Sequence, residues 1–448
     1  MTTSALARDL AALVGTGSVL SPAPREYLTE ASGHPSGPAD AVVLPGTADE
    51  AAAVVAWCYE RDVAMVPRGG GTGYAGGTAA DGGIVIGLER MVRIRAFDPL
   101  QWRICVEAGL RTADLRRTVR ESGLYFPPDP GAGEQSQIGG NLATNAGGPH
   151  AFKYGVTGRW VTGVEAVLAP GELVTAGGPA RKDVAGYDLK SLLIGAEGTL
   201  GLITAAWLRL VPAPEAAHPI VAFYPSADAG CAAIEAVFGN GIEAAALEYL
   251  DEGAVAIAGP AYPGDAPEGA FMVIAEADGS AAEAARVRDE LVEVLGDGAL
   301  SVATPVPREL WRWREGVSLA VLARRGGKLA EDVAVPPDRL AEAVRLTVKI
   351  GARHGLEAVS WGHAGDGNLH SNFLFEPGGD GRDRAEAAAA ELMAAAVGLG
   401  GTISGEHGVG VLKRPYLELQ LDAPLLAAMR SIKRTLDPKG LFNPGKAV

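Results

Sequence analysis

The chain has 448 residues, 48% of them hydrophobic and 21% charged, with a formal net charge of −15. That length exceeds what one core ordinarily organises and points to two or three domains, while the acidity argues against nucleic acid or an anionic membrane as the main partner. The three cysteines, Cys58, Cys105 and Cys231, form no CxxC pair, which favours a reducing cytoplasm over a disulfide scaffold or a cysteine-held cluster.

Residues 1–35 read as a leading helix and an irregular lead-in, without a basic segment followed by a long apolar run. No stretch of about 18 uncharged apolar residues occurs, so membrane spanning is not expected. Val42-Val-Leu44 reads as a strand, and Thr47 with Glu50 forms a capping box that opens a helix through about Arg61. The apolar run Val63–Val66 then feeds Pro67-Arg-Gly-Gly-Gly-Thr-Gly-Tyr-Ala-Gly-Gly77, six glycines in eleven residues. Backbone of this kind can take positive φ and turn successive amides toward a phosphate; a tight surface turn is the plainer alternative. The loop runs into the strand Ile84–Ile86 and not into a helix, so it is a poor dinucleotide fingerprint. Strands near Ile94 and over Ile104–Glu107 complete a compact α+β unit.

A second unit begins near Thr112, with a helix over Ala113–Glu121. After the rigid Phe126-Pro-Pro-Asp-Pro130 comes a second glycine-rich stretch, expected as a loop, Ile138-Gly-Gly-Asn-Leu-Ala-Thr-Asn-Ala-Gly-Gly-Pro149. Two long glycine-rich loops are uncommon in a purely structural role. A hairpin turns at Pro170-Gly171, and Gly195–Thr204 leads into a strand over Ala206–Val211. Pro212 and Pro214 mark a domain boundary. Beyond it, strands and helices alternate to about Phe373, which predicts an antiparallel sheet with helices on one face. The tail is largely helical over Arg384–Leu399 and Ala423–Leu436.

Three of the seven histidines fall in two short polar clusters, Trp361-Gly-His363-Ala-Gly-Asp366-Gly-Asn-Leu-His370-Ser-Asn372 and Gly405-Glu406-His407-Gly-Val-Gly410. Any one of them alone reads as ordinary loop polarity, but three imidazoles and a carboxylate could ligate a divalent zinc, manganese or iron. Arg314, in Trp311-Arg-Trp-Arg-Glu315, could grip a carboxylate in bidentate fashion; by spacing alone its arginine-rich surroundings make a solvated helix face the preferred reading. No Gly-x-Ser-x-Gly elbow, Walker A loop or CxxC pair supports hydrolase, P-loop or thiol-redox chemistry.

Pro67–Gly73, Pro128-Asp129, Ile138–Asn141, Asn145–His150, Lys153–Val156, Gly186–Leu189 and Gly195–Gly201 together resemble the FAD-linked oxidases of the vanillyl-alcohol oxidase superfamily. Gly362–His370, Gly405–Gly408 and Phe442–Lys446 resemble its D-2-hydroxyacid dehydrogenase branch, which includes glycolate oxidase FAD subunits, D-lactate dehydrogenases and D-2-hydroxyglutarate dehydrogenases. The resemblance covers residues 40–448.

It implies an α+β, PCMH-type FAD-binding fold over 36–212, in two subdomains of about 36–110 and 111–212. A cap with an antiparallel sheet would follow over 213–380, and a C-terminal helical segment, 381–448, would return to the flavin. Arg68, Gly69, Gly70, Gly71, Thr72 and Gly73 would cradle the FAD pyrophosphate. Ser136, Gly139, Gly140, Asn141, Thr144, Asn145 and Gly147 would line the cofactor further along, with Glu197, Gly198, Ile203 and Asn443 beside it. The first glycine loop has no histidine, so the FAD is expected to be non-covalent; His150 lies in the second stretch. His363, His370 and Glu406 match metal ligands, His407 a general base, and Arg314 a binder of the substrate carboxylate. Ser318 and Asn372 match polar pocket positions, and Lys328 lies near the place of a pocket lysine with a different spacing. The implied substrate is a D-2-hydroxy acid such as D-lactate or glycolate. A quinone, cytochrome, electron-transfer flavoprotein or iron-sulfur subunit would accept the electrons, and a homodimer stays open. The alternatives are an FAD subunit of a glycolate oxidase-like complex and a metal-free FAD alcohol oxidase. The expected location is the cytoplasm, the inner membrane face included as a peripheral station.

Overall fold

Thr47 Oγ1 accepts from Glu50 N at 3.1 Å while Glu50 Oε2 accepts from Gly46 N at 2.7 Å, so the helix Ala48–Glu60 starts at the predicted cap. The computed structural model describes residues 3–448, which divide into two units. One comprises residues up to Gly147, Val156–Pro212 and Glu406–Val448; the other comprises Gly148–Gly155 and Ala213–Gly405.

The first unit holds a mixed sheet in the order Val19–Leu20, Ala41–Val43, Ile84–Gly87, Met65–Arg68. Ile84–Gly87 pairs in parallel with both neighbours. Side chains alternate across it: Val43, Met65, Ile84 and Ile86 pack on Leu10, Val54 and Val55, whereas Val42, Val66 and Val85 form a smaller core beside Tyr27 and Leu28. Covering both faces explains why these strands read as unbroken apolar runs. Chain-terminal residues extend the sheet's edge, where Met65 N donates to Leu441 O at 2.8 Å and Asn443 N donates to Met65 O at 2.7 Å. A second, five-stranded sheet is antiparallel and contains the predicted hairpin as Val161–Leu168 and Glu172–Gly177.

Residues 138–144, expected as loop, are instead the helix Ile138–Thr144. Two glycines make it a weak helix former, and its position is set by tertiary bonds from Ile138 N to Leu110 O and Gly139 N to Ala108 O, at 2.9 and 2.7 Å. A Cβ on Gly139 would lie 2.7 Å from Ala108 Cβ, so only glycine allows that approach.

The second unit is built on a seven-stranded antiparallel sheet in the order Ser301–Ala303, Ala216–Tyr224, Phe271–Gly279, Ala246–Leu250, Glu357–His363, Asn368–Phe375, Gly327–Ala334. Helices cover both of its faces, which corrects the expectation of one. Phe223, Leu250, Met272, Val359, Trp361 and Leu374 pack against Leu310, Val317 and Val321 of the helix Pro307–Arg325. On the other face lies Ala281–Gly296, whose Leu295 O accepts from Tyr224 Oη at 2.5 Å. The short excursion Gly148–Gly155 is pinned to the strand Phe271–Gly279: Lys153 Nζ and Tyr154 Oη each donate to Asp278 at 2.6 Å, and His150 Nε2 lies 2.8 Å from Glu276 Oε1.

All three cysteines are buried and free. Among the described residues no helix is long and apolar enough to cross a membrane.

Candidate active site

In the first unit, the glycine loop leaves the edge strand Met65–Arg68. Among the described residues no acceptor faces the backbone N–H groups of Gly70 to Tyr74. A row of free amides on a loop without bulky side chains suits a pyrophosphate. Arg68 braces this loop from below, donating from Nη2 to Glu26 O at 2.8 Å and from Nη1 to Thr78 Oγ1 at 3.1 Å. Its guanidinium is therefore occupied by the protein.

The predicted cofactor residues of the second stretch gather beside the first. Gly69 and Gly140 meet backbone to backbone, a Cβ on Gly69 lying 3.2 Å from Gly140 Cα. Ser136 Oγ stands 2.8 Å from Thr112 Oγ1, which accepts from Asn141 Nδ2 at 2.6 Å. Thr144 Oγ1 donates to Gly140 O at 3.1 Å, and Asn145 Oδ1 accepts from Gly158 N at 2.8 Å. Gly147 lies beside Glu406, Gly198 beside Pro67, and Ile203 is buried in the strand Leu202–Arg209.

Glu197 and Asn443 act as fasteners. Asn443 Nδ2 donates to Gly77 O at 2.9 Å and to Glu197 O at 2.7 Å. The Glu197 carboxylate accepts from Val409 N at 2.8 Å and Gly410 N at 2.7 Å, which fixes the chain just after His407. Burial raises the Glu197 pKa more than these two amides lower it. His407 stacks on Tyr74 of the glycine loop with centroids 4.9 Å apart, and its Nε2 lies 3.7 Å from Glu406 Oε1. The predicted base thus sits against the predicted cofactor loop.

In the second unit, strand register assembles a polar row on the sheet face that packs under Pro307–Arg325. Glu248 pairs with His363, Trp361 with His370, and Asn372 with Ala330, two residues along from Lys328. Fully buried Glu248 receives Arg314 Nη2 at 2.6 Å on one oxygen and His363 Nδ1 on the other. Burial would raise its pKa, but the charges and hydrogen bonds of His363 and Arg314 outweigh that and hold the carboxylate below its ordinary value. Arg314 keeps a buried Nε with no acceptor. His363 presents its other nitrogen, Nε2, 3.4 Å from His370 Nε2.

Arg314 and Ser318 are one helical turn apart, on the same side of their helix. Ser318 Oγ accepts from Lys328 Nζ at 2.6 Å, and Lys328 lies 5.3 Å from the centre of the Trp361 ring. Burial lowers the Lys328 pKa to about 8. Asn372 Nδ2 donates to His370 O at 2.9 Å and leaves Oδ1 buried without a donor. Asp332 accepts from Asn368 Nδ2 at 2.6 Å, Gly405 N at 3.0 Å and Ser404 Oγ at 3.2 Å, so it fixes the chain immediately before Glu406.

Sequence reasoning missed Glu248. The available signal was a lone charge within the apolar run Ala244–Leu250.

Residues 213–447 match the family model described as FAD linked oxidases, C-terminal domain, and residues 39–177 match the FAD binding domain. The chain belongs to the FAD-linked oxidase family. Within it, a Bacillus subtilis protein described as glycolate oxidase subunit GlcD is 38% identical over 91% of this chain and 88% of its own length. A D-2-hydroxyglutarate dehydrogenase of Xanthomonas citri pv. viticola is 36% identical over 91% of this chain and 88% of its own length. The family's fold is also that of a solved p-cresol methylhydroxylase, with a TM-score of 0.82 at 18% identity, covering 99% of this chain and 96% of that one.

Proposed function

We propose that the protein oxidises a D-2-hydroxy acid, such as D-lactate or glycolate, to the 2-oxo acid, with FAD held non-covalently at the glycine loop. The observation that carries this reading is the row Arg314–Glu248–His363–His370, a guanidinium and two imidazoles organised by one buried carboxylate. When bound, FAD supplies the hydride acceptor and a divalent metal supplies positive charge at the substrate oxygens.

The donor set fits zinc, manganese or iron. His363 is oriented through Nδ1 by a carboxylate, the arrangement that commonly backs a metal-bound imidazole. Two nitrogens each about 2.1 Å from one tetrahedral ion stand about 3.4 Å apart, as the facing Nε2 atoms do. In this proposal Glu406 completes the metal set with His363 and His370. His407 takes the hydroxyl proton on its imidazole, and Arg314 turns its unpaired Nε edge to the substrate carboxylate. Asn372 and Ser318 give the pocket polar walls. The free amides of Gly70 to Tyr74 hold the FAD pyrophosphate. His150 is engaged by Glu276, which favours a non-covalent flavin: acid precipitation is expected to leave a colourless pellet and a yellow supernatant, and a yellow pellet would refute it.

The deciding experiment follows flavin bleaching without oxygen across a panel of D- and L-2-hydroxy acids. D-acids are expected to bleach the flavin and a chelator to slow this, while His407→Ala should stay yellow and bleach about 10²- to 10⁴-fold more slowly. No bleaching by any D-acid would refute the proposal. Bleaching by D-acids that a chelator leaves unchanged would favour the metal-free alcohol oxidase. Slow turnover rescued by a co-purified iron-sulfur protein would favour the complex subunit. The electron acceptor in the leading proposal is a quinone, cytochrome, electron-transfer flavoprotein or such a subunit. A cytoplasmic site, peripheral contact with the inner membrane face and a homodimer belong to the same proposal.

One observation favours a longer substrate. Lys328 is a half-buried ammonium whose side-chain partners among the described residues are a serine hydroxyl and an aromatic ring, with no carboxylate. It would bind a second carboxylate while protonated, so the attraction is present below its pKa of about 8 and lost as pH rises through it. For a D-2-hydroxy diacid, KM should therefore rise above that pH by up to about tenfold per unit, and the rise should vanish in Lys328→Met. A KM for diacids that is flat from neutrality to pH values well above the Lys328 pKa would exclude this role.

A further inference from the structure

Away from the glycine loop, the first unit has a cavity of about 220 Å³ lined by Gln101, Trp102, Arg103, Thr162, Arg181 and Arg209, together with Pro179 and Ala180. Three guanidinium groups reach it and no carboxylate lines it, in a protein whose net charge is −15. Each arginine is positioned by an aromatic ring: Arg103 lies 6.0 Å from the ring centre of Trp207, Arg181 5.5 Å from that of Trp102, and Arg209 4.6 Å from that of Trp160. Backbone carbonyls hold one edge of each head. Arg103 Nη1 donates to Pro179 O at 3.3 Å, Arg181 Nη2 to Gln101 O at 3.2 Å, and Arg209 Nε to Arg159 O at 3.0 Å.

The charge is only partly neutralised within the protein. Among the described residues Asp98 is the carboxylate paired with Arg103, at 3.2 Å, and Arg181 and Arg209 have none. Arg103 Nε is buried with no acceptor, a cost that a bound anion would remove. Burial, with the facing charges of Arg159 and Arg181, pushes the Arg209 pKa below its ordinary value. Fixed forks of N–H donors match the oxygens of a phosphate group. The volume is below that of an ordinary drug-sized pocket, about 300–1,000 Å³, and suits a phosphate with a small body, for which the exposed Trp102 ring offers a flat wall.

We propose that this arginine-lined cavity is a binding site for a phosphate dianion, free or carried on a small organic molecule, separate from the flavin site. The test is isothermal titration calorimetry of the FAD-loaded protein at constant ionic strength, with inorganic phosphate, AMP and acetate as probes. Inorganic phosphate is expected to bind saturably at one site, and acetate at least tenfold more weakly. Arg181→Gln and Arg209→Gln should each weaken phosphate at least tenfold, Arg209→Lys less, and flavin bleaching should be unchanged in all three. Tighter binding of AMP than of phosphate would identify a phosphorylated organic molecule as the occupant; equal affinity would identify phosphate itself. Because Arg181 is exposed, its replacement leaves the fold intact and keeps the test decisive. An absence of saturable phosphate binding, or wild-type affinity in both glutamine variants, would overturn the proposal.

Discussion

Gly70→Ala is expected to purify without yellow colour, with FAD affinity reduced by well over tenfold. A Cβ at this position would stand 2.1 Å from Gln135 O and 2.9 Å from Gln135 C, contacts with backbone that no rotamer change relieves. The obstructing segment has little room to retreat. Ser136 N donates to Ala132 O at 2.7 Å, Ser136 O accepts from Thr112 N at 3.0 Å, and the Ser136 hydroxyl meets Thr112 Oγ1 at 2.8 Å. Forcing a methyl into such packing costs about 1–3 kcal/mol, which the unit can survive; the apposition of its two glycine stretches cannot. Gly131→Ala is the control, because it lies outside both glycine stretches and its Cβ would meet no protein atom within 4 Å. Circular dichroism should show both variants folded, and the ratio of flavin to protein absorbance reads the difference. Stoichiometric FAD in Gly70→Ala would refute the two-stretch clamp.

How much of this was legible in the sequence depended on the range of the interaction. Thr47 announced its helix because cap and partner are three residues apart, and Val42 and Val85 announced strands because a sheet buried on both faces needs unbroken apolar runs. The helix Pro307–Arg325 was harder to see. Its charges mask an apolar side whose Leu310, Val317 and Val321 are buried, and so the second helical face of the seven-stranded sheet was missed. The histidine clusters were visible as clusters, since seven residues and one tight turn bring the His363 ring beside that of His370. Glu248 was not visible as their organiser. Its partners lie 66 and 115 residues away, and only strand order and register put it beside them. Antiparallel register has no local code when neighbouring strands come from distant parts of the chain. The same holds for Gly148–Gly155, whose bonds to Glu276 and Asp278 make it part of the second unit although its sequence runs on from the glycine stretch.

That hidden carboxylate carries the other large expected effect. Glu248→Gln conserves shape but removes the anion between Arg314 and His363, leaving two donors to compete for one amide oxygen while the amide's own N–H groups face donors. Breaking a buried pair by removing one partner costs about 3–5 kcal/mol, most of it the penalty of the charge left behind. The melting temperature should therefore fall by several degrees. His363 loses the partner that fixes its Nδ1, which for a metal-bound imidazole lowers metal affinity about 10- to 100-fold. Bleaching by a D-2-hydroxy acid should fall by at least the same factor, with KM rising as Arg314 loses its anchor. Arg314→Met tests the account from the other side. If the stability loss arises from an uncompensated guanidinium, the double variant Glu248→Gln/Arg314→Met should be more stable than the sum of the single effects predicts, a coupling of about 0.5–3 kcal/mol. Turnover should not recover in the double variant, because the proposed carboxylate-binding group is gone. A Glu248→Gln protein with unchanged melting temperature and unchanged bleaching rate would show that the buried carboxylate neither holds the second unit together nor organises the site.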